Sequence, residues 1–279
     1  MNVAECAQLA LLLEVAGTPK PGNVDRCREY PDLRFEHFLA GAVGARPGLE
    51  AAADPDGPCV GESFERAVAG MSQQSGGNTQ FGALLLVVPL ARAAAAAELS
   101  PSGASAVAEA TTVDDAAAFY RAFDHVDVSV AEPPEGWGPL DVRQGSDAVA
   151  ELRDRGLSLY DVMAASAGRD GVAREWAGGF ERSFRAAELI EDGDGPVTDR
   201  AADTYLELLA EEPDTFVAIQ HGEAAARSVV GRARSALDGD LDPDALADDL
   251  VEEGVNPGTT ADLTAAGLFV ALASGTVSV

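Results

Sequence analysis

Apolar residues recur at helical spacing almost from one end of the chain to the other. Leu9, Leu12, Leu13 and Val15 do so near the start, and Ala202, Tyr205, Leu206 and Leu209 further on. A long apolar run through Ala273 closes the sequence. Only Val126–Val130 alternates like a strand, and one strand cannot make a sheet. The expected fold is therefore all-α, a bundle-like packing of many helices, in a single domain over residues 1–279. Residues 131–141 hold Pro133, Pro134 and Pro139 with Gly136 and Gly138. That loop is the one plausible internal boundary, and it is short enough to be a crossing loop within one domain.

Glycine and proline mark where helices stop. The helical reading Ser63–Met71 and the apolar run Ala83–Ala97 flank Ser72–Gly82, a stretch of glycines, hydroxyls and amides. Gly76 and Gly77 let the backbone approach a ligand closely, and the helix that follows presents free N–H groups suited to phosphate. Taken alone, such a Gly-Gly turn is more often an ordinary connection between helices. No Lys-Ser or Lys-Thr pair follows it, so it is not a P-loop.

A second loop, after Gly17, is stiffened by Pro19 and Pro21 and carries Lys20, Asn23, Asp25 and Arg26. These offer two cations for phosphate and a carboxylate for a metal or a proton. Lys20 is the only lysine among 19 basic residues. A third loop, Asn256–Asp262, again places Gly and Thr before a helix, with an acid in its first turn. In an all-helical domain the three can converge on one face as a pocket. Asp192-Gly193-Asp194-Gly195 reads as a solvated turn, and His221 as a helix C-terminal residue.

Composition narrows the function classes. Net charge is −28, from 47 acidic and 19 basic residues, which disfavours nucleic acid and anionic membranes as partners. The acidity is spread along the chain, as suits a halophilic protein in high salt. Cys6, Cys27, Cys59 and the three histidines show no metal-binding spacing. No signal peptide or spanning segment is evident, so a cytoplasmic location is expected.

The loop motifs carry a family resemblance. Thr18–Arg26 resembles the N-terminal signature of the triphosphoribosyl-dephospho-CoA synthases, Gly76-Gly77-Asn78-Thr79 with Gly82 their central glycine motif, and Asn256–Leu263 their C-terminal motif. Asp214-Thr215 falls where that family has an Asp-Thr pair. The resemblance implies an all-helical transferase that moves the triphosphoribosyl part of ATP to the ribose 2′-hydroxyl of 3′-dephospho-CoA and releases adenine.

It implies further that Mg²⁺ accompanies ATP, with Asp25 and Asp214 as candidate metal ligands. Lys20, Asn23, Arg26, Gly76, Gly77, Asn78, Thr79, Asn256, Gly258 and Thr259 are the implied nucleotide contacts. Asp25, Asp214 and Asp262 are the implied base candidates, and Glu175 the implied acid. The implied partners are ATP and a dephospho-CoA-like small molecule, and the oligomeric state stays open. Departures occur at Gln80-Phe81, where the family has His-Lys, at Gln220-His221-Gly222 for Arg-Gly-Gly, and at Arg174-Glu175 for Arg-Gly-Glu. Two other readings are a ribosyl hydrolase resembling the ADP-ribosylglycohydrolases and a nucleotide-binding protein without catalysis.

Overall fold

The computed structural model describes residues 1–279 as sixteen α-helices and no β-strand. The first eight are α1 (Val3–Ala16), α2 (Phe35–Gly44), α3 (Arg46–Ala52), α4 (Val60–Met71), α5 (Phe81–Ala95), α6 (Pro101–Glu109), α7 (Val113–Ala122) and α8 (Val149–Arg155). The others are α9 (Leu159–Ser166), α10 (Gly171–Gly178), α11 (Glu181–Asp192), α12 (Val197–Glu211), α13 (Thr215–His221), α14 (Glu223–Leu237), α15 (Pro243–Glu252) and α16 (Gly258–Ser274).

Helix α16 is apolar on every side and buried from Leu263 to Leu272, so it must be surrounded. Helices α1, α5 and α11 pack against it. The approach of α11 depends on Gly267, where an added Cβ would lie 2.5 Å from that of Ala186. Leu11, Phe64, Leu84, Trp176 and Phe269 belong to the main core, whereas Tyr205, Leu209, Leu246 and Leu250 form a smaller one among α12, α14 and α15. Sequence-local caps fix several helix starts: Asn2 with Glu5, Thr112 with Asp115, and Ser158 with Asp161 form reciprocal boxes.

Val126–Val130 forms no strand and pairs with no neighbour. Before α8, residues Val142–Ala148 form 3₁₀ turns, with Gly145 at φ 53° and ψ −130°. No helix is long and apolar enough to cross a membrane.

Candidate active site

The three loops singled out in the sequence meet. Asn23, Asn78–Ala83 and residues of Asn256–Asp262 line one cleft of about 360 Å³. The first turns of α5, α10 and α16 line it as well, through Gly82 and Ala83, Val172 and Ala173, and Gly258 and Thr259. Three helix N-termini therefore bring their positive ends to a common space. Neither α5 nor α16 has a side-chain cap on its N-cap residue. Another part of the lining is made by Phe119 and Phe123 at the end of α7 and by the irregular segment beyond them, where Val128 and Val130 alternate with Asp127, Ser129 and Glu132.

The inner wall carries carboxylates. Asp262 lies against the start of α5: a Cβ built on Gly82 would sit 2.0 Å from its Oδ2, so glycine is required there. Burial, reinforced by the negative charges of Glu14 and Asp214, pushes the Asp262 carboxyl well above the usual carboxylate range. Glu14, near the end of α1, is buried and lines the same cleft. Burial raises its pKa, while the adjoining Lys20 ammonium pulls it back. Asp170 caps α10 by accepting from Ala173 N at 2.8 Å, and burial pushes its carboxyl up too.

Lys20 is not where the loop motif placed it. Its side chain is fully buried and does not line the cleft. It donates to Glu14 Oε1 and, at 3.0 Å, to Asn23 Oδ1, with its ammonium 5.8 Å from the centre of the Tyr205 ring. Asn23 Nδ2 donates in turn to Asn256 Oδ1 at 2.8 Å, which ties the first loop to the third. Lys20 thus meets a carboxylate of the cleft from behind rather than a ligand from within.

Three other expected site carboxylates also hold the scaffold. Asp25 accepts from Cys27 N at 2.7 Å, Arg28 N at 2.9 Å and Thr18 Oγ1 at 2.7 Å, which closes its own loop. Asp214 caps α13 through Phe216 N and Val217 N and accepts from Thr260 N and Oγ1, both at 2.7 Å, pinning α13 to α16. Glu175 accepts from Arg182 N, Ser183 N and Ser183 Oγ, and so caps α11 from the preceding helix. None of the three lines the cleft. Each has its oxygens taken by amides and hydroxyls, Asp25 within its own loop and Asp214 and Glu175 at the starts of α16 and α11, which lack side-chain caps on their N-cap residues. Arg26 turns outward and donates to Ala16 O, and Gly76 and Gly77 lie outside the lining. Gly76 instead packs against the His37 ring.

The Mg²⁺ implied by the resemblance does not fit Asp25 and Asp214, whose acceptors are committed to the fold. No group of three or more His, Cys, Asp or Glu side chains is arranged to hold an ion. Glu14, Asp170 and Arg169, all lining the cleft, were not singled out from the sequence. Glu14 reads there only as an acid within the apolar run Leu9–Val15 of the first helix. Gln80 and Phe81, the departures from the family pattern, both face the cleft. Gln80 Nε2 donates to Leu11 O, and Phe81 stacks edge-on with Phe123 at 4.9 Å.

An all-α fold with opposed carboxylates in a cleft fed by helix N-termini has the outline of a group-transfer enzyme for a phosphorylated substrate. Residues 1–278 match the model of the CitG family, ATP:dephospho-CoA triphosphoribosyl transferase, and the chain belongs to that family. It is a transferase enzyme of that class. Its fold is similar to a crystal structure from Archaeoglobus fulgidus provisionally described as a triphosphoribosyl-dephospho-CoA synthase. The TM-score is 0.68 and the identity 28%, covering 85% of this chain and 99% of that one. No curated protein matches the sequence significantly.

Proposed function

We propose that this cleft is where the triphosphoribosyl group passes from ATP to the ribose 2′-hydroxyl of 3′-dephospho-CoA. The observation that carries this reading is the pairing of Glu14 with Asp262 on one wall, two carboxylates in contrasting environments. Asp262, whose burial favours the protonated form, donates its proton to the departing adenine as the bond between the base nitrogen and the ribose anomeric carbon breaks. Glu14, compensated by the Lys20 ammonium, accepts the proton of the attacking hydroxyl as the new C–O bond forms. One proton is given and one taken, so the pair exchanges protonation states and resets through solvent. The ionised Glu14 also opposes the positive charge that develops on the sugar.

The triphosphate, entering with its Mg²⁺ as part of the donor, lies toward the positive ends of α5 and α16, while the start of α10 is already capped by Asp170. The surface charge of −28 suits a protein that works in high salt, and assays belong in that medium.

Adenine release from ATP, measured with and without 3′-dephospho-CoA, tests the proposal. The parent protein releases adenine only with the acceptor, and Glu14→Gln and Asp262→Asn each lower turnover by roughly 10²-fold or more. Release without acceptor establishes hydrolysis instead. ATP binding with no release under either condition establishes a binding protein.

A further inference from the structure

Resting on that reading, we infer that the apolar lobe of the cleft holds the pantetheine arm of the acceptor, with Arg169 on the phosphate that joins the arm to the nucleotide. The lobe is walled by Phe123, Val128, Val130, Trp137 and Met163. The irregular segment after α7 also borders it, and residues 126–133 of that segment make no hydrogen bond to any other main-chain group. A stretch of main chain whose amides and carbonyls from Val126 to Ala131 make no main-chain bonds, beside an apolar surface, suits a ligand that is itself a chain with amide groups and aliphatic carbons. A pantetheine arm, with two amides and a gem-dimethyl group, has that chemistry. A purine ring has no use for such a stretch, and the lobe's one buried phenol is already taken, since Tyr120 donates to Leu140 O at 2.7 Å.

Arg169 stands where the two halves of the cleft join. It precedes Asp170 of the polar wall, and its Nη1 donates to Glu132 O of the irregular segment at 3.0 Å. It is the only cationic residue lining the cleft, and no carboxylate pairs with it. In a chain with 47 acids, an arginine left without an acid at the mouth of a phosphate-ester site is placed for the ligand's own anion. The acceptor then lies with its ribose at Glu14, its diphosphate at Arg169 and its arm along Val128 and Val130.

The test uses 4′-phosphopantetheine, which has the arm and one phosphate but no nucleoside. Calorimetric binding is measured to the parent, Val130→Asp, Arg169→Gln and Arg169→Lys, and inhibition kinetics are run against each substrate. The compound is expected to bind, to compete with 3′-dephospho-CoA and not to compete with ATP. Val130→Asp and Arg169→Gln each weaken it by roughly tenfold or more, and Arg169→Lys recovers part of the loss. Circular dichroism and Tm confirm that the variants are folded. Absence of binding, competition with ATP, or equal affinity in all four proteins overturns the assignment. Should the parent transfer nothing, the transferase reading fails by itself, and the calorimetry still decides what the lobe binds.

Discussion

Lys20 and Glu14 form a buried ion pair of which only the carboxylate partner reaches the cleft. The chain's sole lysine therefore holds Glu14 from behind the cleft. Removing one member of such a pair leaves an uncompensated charge in the interior. Lys20→Met is expected to destabilise the fold by about 3–5 kcal/mol in denaturant unfolding, and the double variant Lys20→Met with Glu14→Gln to recover much of that. Lys20→Arg keeps the charge but forces a wide planar fork into a packed site, at about 1–3 kcal/mol. Equal unfolding midpoints for all of them would show that the pair carries no structural weight.

Asp262 links function to stability. Its pKa is raised in the folded state, so between the unfolded value and the folded one the native protein binds more protons than the unfolded chain. Its contribution to stability therefore falls as pH rises through that window. Asp262→Asn removes the penalty: Tm near neutral pH should rise by roughly 2–4 °C, for a gain on the order of 1 kcal/mol, while transfer is lost. A lower Tm in the variant would contradict the assignment.

The same pair sets the pH profile of the reaction. Turnover needs Glu14 ionised and Asp262 protonated, so kcat/KM should fall on the acid side through Glu14 and on the alkaline side through Asp262. Burial raises both carboxyls, which moves the active window up from the ordinary carboxylate range. An alkaline limb that persists unchanged in Asp262→Glu would assign it to another group.

Gly82→Ala tests the contact behind Asp262. The new methyl would fall on its carboxylate, which must shift, and displacement of a reacting group by an ångström costs roughly 10²-fold in turnover. The expected result is a folded protein with ATP affinity near that of the parent and depressed kcat.

Glu175 predicts the opposite split. Because its oxygens cap α11 and it lies outside the cleft, Glu175→Gln should lower stability by about 1–3 kcal/mol through unsatisfied amides and leave the pH profile of turnover unmoved. A shifted profile would return it to the reaction.

The helical class was legible because the spacing of Leu9, Leu12, Leu13 and their counterparts is a local property. The loops around Asn23, Asn78 and Asn256 were legible through their turn chemistry, and Asp262 through its place in a helix start. What could not be read was which polar group faces inward. Lys20 and Glu14 are six positions apart across a helix end, and nothing local tells a lysine beneath a cleft from one inside it. Asp25, Asp214 and Glu175 look like catalytic acids in sequence because an acid that closes a loop or caps a helix has the same composition as one awaiting substrate. Arg169 and the wall from Val126 to Pro134 belong to the site only through the packing of α7 against α9, a relation between distant segments.

The convergence of α5, α10 and α16 has a consequence for how this acidic protein meets a polyanion. Peptide dipoles do not titrate, carry no counterions of their own and need no lysine. A site built on them releases few ions when phosphate arrives, so ATP affinity should depend only weakly on salt concentration, in contrast to sites assembled from ammonium groups. On the proposed reading, a chain with a net charge of −28 would hold the polyphosphate on main-chain dipoles, which salt screens less than surface cations.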